Sequence, residues 1–304
     1  MPFVPALPPQ PVTVFGGFDY VTVDTAHRRV YAAHTGSRAL LIVDADSGKV
    51  IGQVRVGPLH GVAVDPVSGH VYTGDGDART VSEIDPVAQK VLRSTDVLGT
   101  VDAVAYDSTN GHIYADEDDG TRIFVIDARS FKPAGTVSVP GHKPEYLAVD
   151  PATHDLYQNI ANLNEFVIID GTTLSVKKTV PTPELQSNHP LQYDPALHHV
   201  IVGGANGVLS VYDRSGKLLG KTTMQPHVDQ CDLEPVTHTL ACAGNGEVTV
   251  FRDTANGVPT LLSRSAVPRG VHTLAIDGKT QRVWVVWSSQ DPKAPGDFVQ
   301  AFRL

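Results

Sequence analysis

A polar residue recurs at one position of a repeated strand pattern, and in every copy it is a histidine or a carboxylic acid. The copies stand five residues before the acid that closes each strand, and they are Asp19, His60, Asp102, Glu145, His189, Asp229 and His272. The 304 residues include only 13 His and 33 Asp and Glu, so seven such residues in seven copies are not expected by chance. Imidazoles and carboxylates are side chains that bind metal ions and transfer protons.

The three histidines of this set are spaced almost evenly. His60, His189 and His272 fall in the second, fifth and seventh copies, so they would lie on three sides of a ring if the copies surround an axis. Three converging imidazoles hold a metal ion and leave coordination positions open. The sequence therefore predicts a metal site with these three ligands. A nitrogen-rich set favours a divalent transition metal (Zn, Mn, Fe or Cu) over Mg or Ca.

The four acids of the set fall between the histidines. We interpret them as catalytic candidates, each either a further metal ligand or a general base: Glu145, Asp102, Asp229 and Asp19. Carboxylates beside histidines also orient the imidazole rings. Four crowded carboxylates would repel one another without a cation, and a bound divalent ion would relieve that repulsion. The alternative interpretation is a polar, water-filled channel that holds no ligand.

The elements that must position these side chains follow from the repeat. The closing acids Asp24, Asp65, Asp107, Asp150, Asp194, Glu234 and Asp277 recur about every 40–44 residues, which is the period of propeller blades. Between them, segments rich in Val, Ile and Tyr alternate with period two and are separated by Gly, Pro and Asp. The pattern predicts an all-β, seven-bladed β-propeller of four-stranded antiparallel blades, with the ring residues at the start of the innermost strands.

The ends of the chain complete the predicted ring. The last copy stops after its third strand, "DFVQAFRL", and "QPVTVFGG" (10–17) is the natural missing strand. Pairing the two ends removes free sheet edges. We therefore predict a Pro-rich N-terminal segment over residues 1–9 and a single propeller domain over residues 10–304.

Polar residues near the predicted mouth are candidates for contact with a substrate. The substrate-binding candidates are His34, Asp75, Glu117, His142 and His227, which follow the second strands or precede the ring residues. A polar loop over residues 288–297 is either a lid over the pocket or a tolerated surface loop.

Composition excludes several classes of protein. A formal net charge of −9 argues against a nucleic-acid binder and favours cationic partners. No apolar run reaches the ~20 residues that span a bilayer, and "MPFVPALPPQ" is not an intact signal peptide. A cleaved signal replaced by a start Met would look the same. Motifs for serine hydrolases, phosphate-binding loops and HExxH metal sites are absent from the sequence.

The two cysteines lie opposite each other on one predicted hairpin. Counting outward from Glu234 and Thr239 places Cys231 across from Cys242. A disulfide, and hence an oxidising compartment, is one interpretation. Two small buried thiols are the other.

The repeated pattern resembles the YVTN-repeat, YncE-like family of seven-bladed propellers over residues 11 to 304. The matching stretches are "AVDPVSGHVYTGD" (63–75), "RIFVIDARSFKPAGTV" (122–137) and "FVIIDGTTLSVKKTV" (166–180). The resemblance implies an exported protein, periplasmic or secreted. The layout of the predicted site resembles that of propeller lyases such as virginiamycin B lyase and oligogalacturonate lyase, which place a metal and histidines in the central mouth.

Two classes of function follow. The first is a divalent-metal-dependent enzyme of the lyase, isomerase or hydrolase type that acts on a small molecule in the central mouth, with the metal on the propeller axis and a monomeric chain. The second is a non-catalytic exported propeller that binds a metal or ligand or serves as a protein-interaction scaffold.

Overall fold

A computed structural model describes residues 3–12, 15–244, 246–289, 291–293 and 295–304. Within these residues, the strands form seven antiparallel sheets, and in six of them four consecutive strands pair in chain order. Two 3₁₀ turns, Thr35–Ser37 and Ala161–Leu163, follow second strands. The predicted all-β, seven-bladed propeller is confirmed.

Each sheet is one blade, numbered 1 to 7 along the chain. The inner strands are Val21–Asp24, Leu59–Val64, Val101–Asp107, Pro144–Asp150, Asn188–Asp194, Gln230–Glu234 and Thr273–Asp277. The second strands are Arg29–His34, Val71–Asp75, His112–Glu117, Asp155–Ile160, His199–Gly204, Thr239–Gly244 and Arg282–Ser288. The third strands are Ala39–Asp44, Thr80–Asp85, Arg122–Asp127, Glu165–Asp170, Val208–Asp213, Glu247–Arg252 and Asp297–Arg303. The outer strands of blades 1 to 6 are Val50–Arg55, Lys90–Asp96, Lys132–Ser138, Ser175–Pro181, Leu218–Thr223 and Thr260–Ala266.

The hydrophobic core lies between the blades. The middle strands are buried on both faces because each sheet packs against two neighbours; Tyr31 and Leu40 of blade 1, for example, cluster with Leu59 and Val71 of blade 2. Because they are buried on both faces, the second and third strands contain continuous apolar runs. In the outer strands, solvent-exposed residues alternate with less exposed ones.

The N-terminus supplies the outer strand of blade 7, as predicted. Gln10–Val12 pairs with the first half of Asp297–Arg303, and Val4–Pro5 pairs with its second half. Part of the segment 1–9 that the sequence placed before the propeller therefore belongs to the last blade. Residues 13 and 14 of the predicted closing strand lie outside the described residues, as do residues 290 and 294 of the loop 288–297.

A buried polar contact fixes this closure. Asp297 Oδ2 accepts hydrogen bonds from the backbone N–H groups of Gly16 (2.7 Å) and Gly17 (3.0 Å). The same oxygen lies 2.5 Å from His34 Nε2 of blade 1. One carboxylate thus connects the N-terminal segment with the first and the last blades.

The closing acids hold the turns that follow the inner strands. Asp24 Oδ1 accepts a hydrogen bond from the backbone N–H of His27 (2.9 Å), and Asp65 Oδ1 accepts one from Val67 (3.0 Å). A residue four positions after the closing acid has a positive φ in all seven blades, namely Arg28, Gly69, Gly111, His154, His198, His238 and Gln281. The acid recurs because a carboxylate stabilises this turn.

Three of these positive-φ residues also connect neighbouring blades. Arg28 pairs with Asp277 of blade 7 (2.8 Å), His154 with Asp107 of blade 3 (2.7 Å), and His238 with Asp194 of blade 5 (2.6 Å). All three carboxylates are buried. The histidines in these turns are therefore structural.

We expect the stability difference between the parent and an Asp107→Asn variant to shrink as pH falls. Burial alone would raise the pKa of Asp107, but hydrogen bonds from Thr109 and His154 hold it below its usual range. A carboxyl with a lowered folded-state pKa stabilises the fold above its unfolded pKa of about 4, and this stabilisation is lost as pH falls through the folded value. Urea unfolding of both proteins at about pH 7, 5 and 3 measures the difference. A difference that is constant over this range would contradict the assignment.

Cys231 and Cys242 are joined by a disulfide between the inner and second strands of blade 6. The two residues are direct partners in the register, as counted from Glu234 opposite Thr239. No helix in the described part of the chain is long and apolar enough to cross a membrane.

Candidate functional site

β-Bulges in the inner strands place several of the seven ring residues. The register of the inner strand shifts between Leu59 and Val62 in blade 2 and between Val101 and Val104 in blade 3, on either side of His60 and Asp102. Similar shifts occur at Glu145 in blade 4 and around His189 in blade 5. Bulges redirect side chains, which is how polar residues at the start of these strands face the channel.

The ring surrounds a cavity of about 250 Å³ at one end of the channel, called the mouth here. Six ring residues line it: Asp19, Asp102, Glu145, His189, Asp229 and His272. Phe18, Tyr20, Tyr146, Gln230 and Thr273 complete its wall. Six of the seven ring residues therefore line one central cavity.

Three ring residues from adjacent blades form a compact group. Ligand atoms of Asp19, His60 and Asp102 all lie within 4.8 Å of one another. His60 Nδ1 is 2.6 Å from Asp19 Oδ2 and 3.9 Å from Asp102 Oδ1. Two carboxylates and one imidazole at this separation are a set that can hold a metal ion.

The other two histidines lie around one carboxylate on the opposite side. His189 Nε2 is 2.6 Å from Asp229 Oδ1, and His272 Nδ1 is 2.6 Å from Asp229 Oδ2. Burial alone would raise the pKa of Asp229, but the hydrogen bonds from His189 and His272 hold it well below its usual range. Asp229 is therefore a carboxylate that stays ionised between two imidazoles.

The three histidines do not form one compact ligand group among the described residues. Each is paired with an acid instead. The hydrogen bond that His60 donates to Asp19 raises the pKa of His60. Burial alone would lower the pKa values of His189 and His272, but their hydrogen bonds to Asp229 outweigh this effect, and both pKa values are raised. The even spacing in sequence predicted three converging imidazoles, but the structure gives a one-histidine, two-carboxylate group and a separate histidine–aspartate–histidine bridge.

Glu145 lies between these two parts of the ring. Its Oε2 is 3.3 Å from His189 Nδ1, and its Oε1 is 3.4 Å from Lys143 Nζ. Burial raises the pKa of Glu145 despite these two cationic neighbours. Glu145 thus has a raised pKa and Asp229 a lowered one. In active sites, such a difference lets one carboxyl act as the acid while the other stays ionised.

Further acids surround the compact group. Burial and the neighbouring acids Asp116 and Asp19 raise the pKa of Asp102 well above its usual range. Asp116 is itself buried, and burial raises its pKa although Ala103 N–H (2.6 Å) and Gln158 Nε2 (3.0 Å) donate to it. Crowded carboxyls of this kind are stabilised by a bound cation or a proton.

Two tyrosines of the cavity wall are in contact with each other. Tyr20 of blade 1 and Tyr146 of blade 4 come from opposite sides of the channel, and their ring centroids lie 5.4 Å apart. Tyr146 has a φ of 54°, which a bulge immediately after Glu145 allows. Gln192 Nε2 donates to Tyr146 Oη (2.7 Å). Neither tyrosine was predicted from the sequence, although both directly follow ring acids.

Of the five predicted substrate-binding residues, two are exposed and three are paired with another side chain or buried. His142 and His227 are exposed. Glu117 pairs with Arg122, whose Nε lies 2.9 Å from Glu117 Oε2. Asp75 is fully buried. His34 is also buried, and its ring nitrogens contact Ser37 Oγ (2.7 Å) and Asp297 Oδ2 (2.5 Å).

Comparisons with known proteins support the fold and no particular activity. No protein-family model matches the chain, and no curated protein matches its sequence. Among solved structures, it is similar to Kuenenia stuttgartiensis hydrazine synthase, with a TM-score of 0.81, 14% identity and coverage of 96% of this chain and 97% of that one. It is also similar to U3-55K, with a TM-score of 0.83, 9% identity and coverage of 97% and 98%.

A third similar structure is the Cps50 (Swd1) β-propeller domain of Myceliophteria thermophila. Its TM-score is 0.78 at 10% identity, and the alignment covers 100% of both chains. Identities this low establish a shared fold alone. The propeller fold that the YVTN-repeat resemblance implied is therefore confirmed, while membership of that family is not supported by a family model.

Proposed function

We propose that this protein is a metal-binding propeller that uses a divalent ion at the channel mouth in acid–base chemistry on a small molecule. The observation that carries the proposal is the group of Asp19, His60 and Asp102, whose ligand atoms lie within 4.8 Å of one another. Both carboxylates belong to an acid-rich wall, and a cation there would offset their mutual repulsion. The chemistry of the donor set suits Mn²⁺, Fe²⁺ or Zn²⁺.

The enzyme class in this proposal is lyase-like. A metal in this position would supply Lewis acidity toward a carbonyl or carboxylate of the substrate. Glu145, with its raised pKa, is the group suited to transfer a proton. Asp229 remains ionised and orients His189 and His272, so this side of the cavity positions the substrate.

The setting proposed for this activity is outside the cytoplasm. The Cys231–Cys242 disulfide supports an oxidising compartment, periplasmic or secreted. The cavity of about 250 Å³ suits one small molecule and does not suit a nucleic acid. Membership of the YVTN-repeat family and a monomeric state remain part of the proposal.

A second candidate is a non-catalytic binding protein or interaction scaffold. It is favoured by one observation: each ring histidine already pairs with a carboxylate, at 2.6 Å for His60, His189 and His272. Such pairs can stabilise the structure in a protein that catalyses no reaction. The fold does not decide between the candidates, because a hydrazine synthase and a Swd1 domain share it.

Turnover by the metal-loaded protein separates the two candidates. We expect metal-loaded parent protein to convert a member of a panel of lactones, uronates and cyclic peptides, and we expect Glu145→Gln to lower the rate at least about 100-fold while keeping the metal. A Glu165→Gln variant, which changes a carboxyl at the start of the third strand of blade 4, is the control and should keep the parent rate. Stoichiometric metal without turnover of any panel member would favour the binding protein.

A further inference from the structure

The far end of the channel, opposite the mouth, has a second cavity with a carboxylate in its wall. Inner strands run from the ring residues at the mouth to the closing acids at the far face, and Asp232 stands two residues before the closing acid of blade 6. The cavity has a volume of about 550 Å³ and lies between blades 6, 7 and 1. Its wall includes Thr22, Val23, Asp232, Leu233 and Ile276.

The Asp232 carboxylate has no cationic partner among the described residues. Its Oδ2 accepts a hydrogen bond from the backbone N–H of Ile276 (2.6 Å). Burial and the nearby carboxyl of Glu234 raise the pKa of Asp232 to about 6, against the effect of the Ile276 and Leu233 N–H groups. A carboxylate without a cationic partner is stabilised when a cation approaches it.

Two other charged residues line the cavity, and neither neutralises Asp232. The Glu234 carboxylate accepts hydrogen bonds from the backbone N–H groups of Val236 (3.0 Å) and Thr237 (2.7 Å), so it stabilises the turn after the inner strand of blade 6. Lys279 follows the closing acid of blade 7, and its backbone N–H donates to Asp277 Oδ1 (3.1 Å). It forms no ion pair with Asp232.

This cavity is separate from the mouth. Tyr20 and Tyr146 meet across the channel between the two. Gln192 Nε2 supports this closure by donating to Tyr146 Oη (2.7 Å) and to the backbone oxygen of Cys231 (2.6 Å). A ligand at the far end therefore does not depend on the proposed metal at the mouth.

We propose that the far-end cavity binds an aliphatic ammonium group, with Asp232 as its counter-ion. The ammonium belongs to a small diamine or to a lysine side chain, and the methylene stem packs on Val23, Leu233 and Ile276, which line the same cavity. A guanidinium group suits the site less well. Its planar fork prefers two free carboxylate oxygens, and Oδ2 of Asp232 is already used by Ile276.

Ligand-observed NMR titration of the whole protein tests this proposal. The probes are 1,4-diaminobutane, N-acetyl-lysine amide and N-acetyl-arginine amide. We expect saturable binding of the two amines, with the arginine probe at least about fivefold weaker. We expect Asp232→Asn, which keeps an acceptor for Ile276 N–H, to weaken amine binding at least about tenfold. The mouth variant Asp102→Asn should bind the amines as the parent does.

A pH comparison tests the same site without any variant. Lowering the pH from about 7.5 to about 5 protonates most of a carboxylate whose pKa is near 6, so amine binding to the parent should weaken about tenfold. Equal binding by the parent and folded Asp232→Asn, or binding that is lost in Asp102→Asn, would overturn the proposal. Stronger binding of diaminobutane than of the lysine probe would identify a small diamine as the occupant, and the reverse order a lysine side chain.

Discussion

Replacing Arg28 by alanine is expected to lower the free energy of unfolding by about 3–5 kcal/mol. Arg28 Nη2 lies 2.8 Å from Asp277 Oδ2, and the Asp277 side chain is 0% exposed. The pair joins blade 1 to blade 7, next to the point where the ring closes. Removing the guanidinium leaves a buried carboxylate without a cationic partner, which is the costly way to break an ion pair. Urea unfolding followed by circular dichroism measures the change.

Arg38→Ala is the matched control for this prediction. Arg38 has a φ of 60° and Arg28 one of 58°, so alanine meets the same backbone conformation at both positions. Arg38 pairs with Asp77 at 3.8 Å, and the two side chains are 55% and 75% exposed. Its loss should cost about 0–1 kcal/mol. Equal effects of the two substitutions would show that the blade 1–blade 7 pair has no special role.

Replacing His60 by alanine is expected to weaken the binding of Zn²⁺ or Mn²⁺ by at least about 100-fold. Loss of a residue that only supports a metal ligand lowers metal affinity about 10–100-fold, and loss of the ligand itself should cost more. His60 is the imidazole of the compact group with Asp19 and Asp102. Without it, two carboxylates remain, and they bind transition metals less tightly than a mixed set. Competition against a chromophoric chelator measures the affinity of the parent and the variant.

His272→Ala is the matched control at the equivalent position of blade 7. His272 Nδ1 lies 2.6 Å from Asp229, as His60 Nδ1 lies 2.6 Å from Asp19. His272 is outside the compact group, so its loss should change metal affinity less than about tenfold. Equal losses in the two variants would mean that the metal site includes imidazoles from both sides of the ring.

The fold could be predicted from the sequence because each blade repeats the same local chemistry. Closing acids such as Asp24 and Asp65 stabilise a turn through their own backbone neighbours, so their spacing reports the blade period directly. The strand pattern between them depends on local alternation. The pairing of Val4–Pro5 with the last strand was not predicted, since a two-residue strand has no such pattern.

The sequence identified the polar residues near the starts of the inner strands, but it did not show how their side chains pair. Position within the repeat identified the seven ring residues, six of which line the mouth cavity. It did not identify the bulges at His60 and Glu145 that set side-chain direction. Nor could spacing show that His189 and His272 share Asp229. Those contacts depend on side-chain geometry between blades, which the sequence period does not encode.

The burial of His34 and Asp75 has a similar explanation. Both lie at the ends of second strands, which the sequence correctly placed toward the mouth. Whether such a residue faces the cavity or a neighbouring blade depends on packing. His34 stacks on Phe18 with ring centroids 4.6 Å apart and bonds to Asp297 of the last blade, so its role is structural.

X-ray absorption spectroscopy of the metal-loaded protein tests the proposed centre most directly, because it counts the imidazole ligands of the bound ion. We expect about one metal ion per chain with a single imidazole and otherwise oxygen ligands, as the group of Asp19, His60 and Asp102 requires. A shell with three imidazoles would contradict this centre in favour of His60, His189 and His272 acting together. Protein that retains no Zn²⁺, Mn²⁺ or Fe²⁺ would contradict a metal site at the mouth altogether.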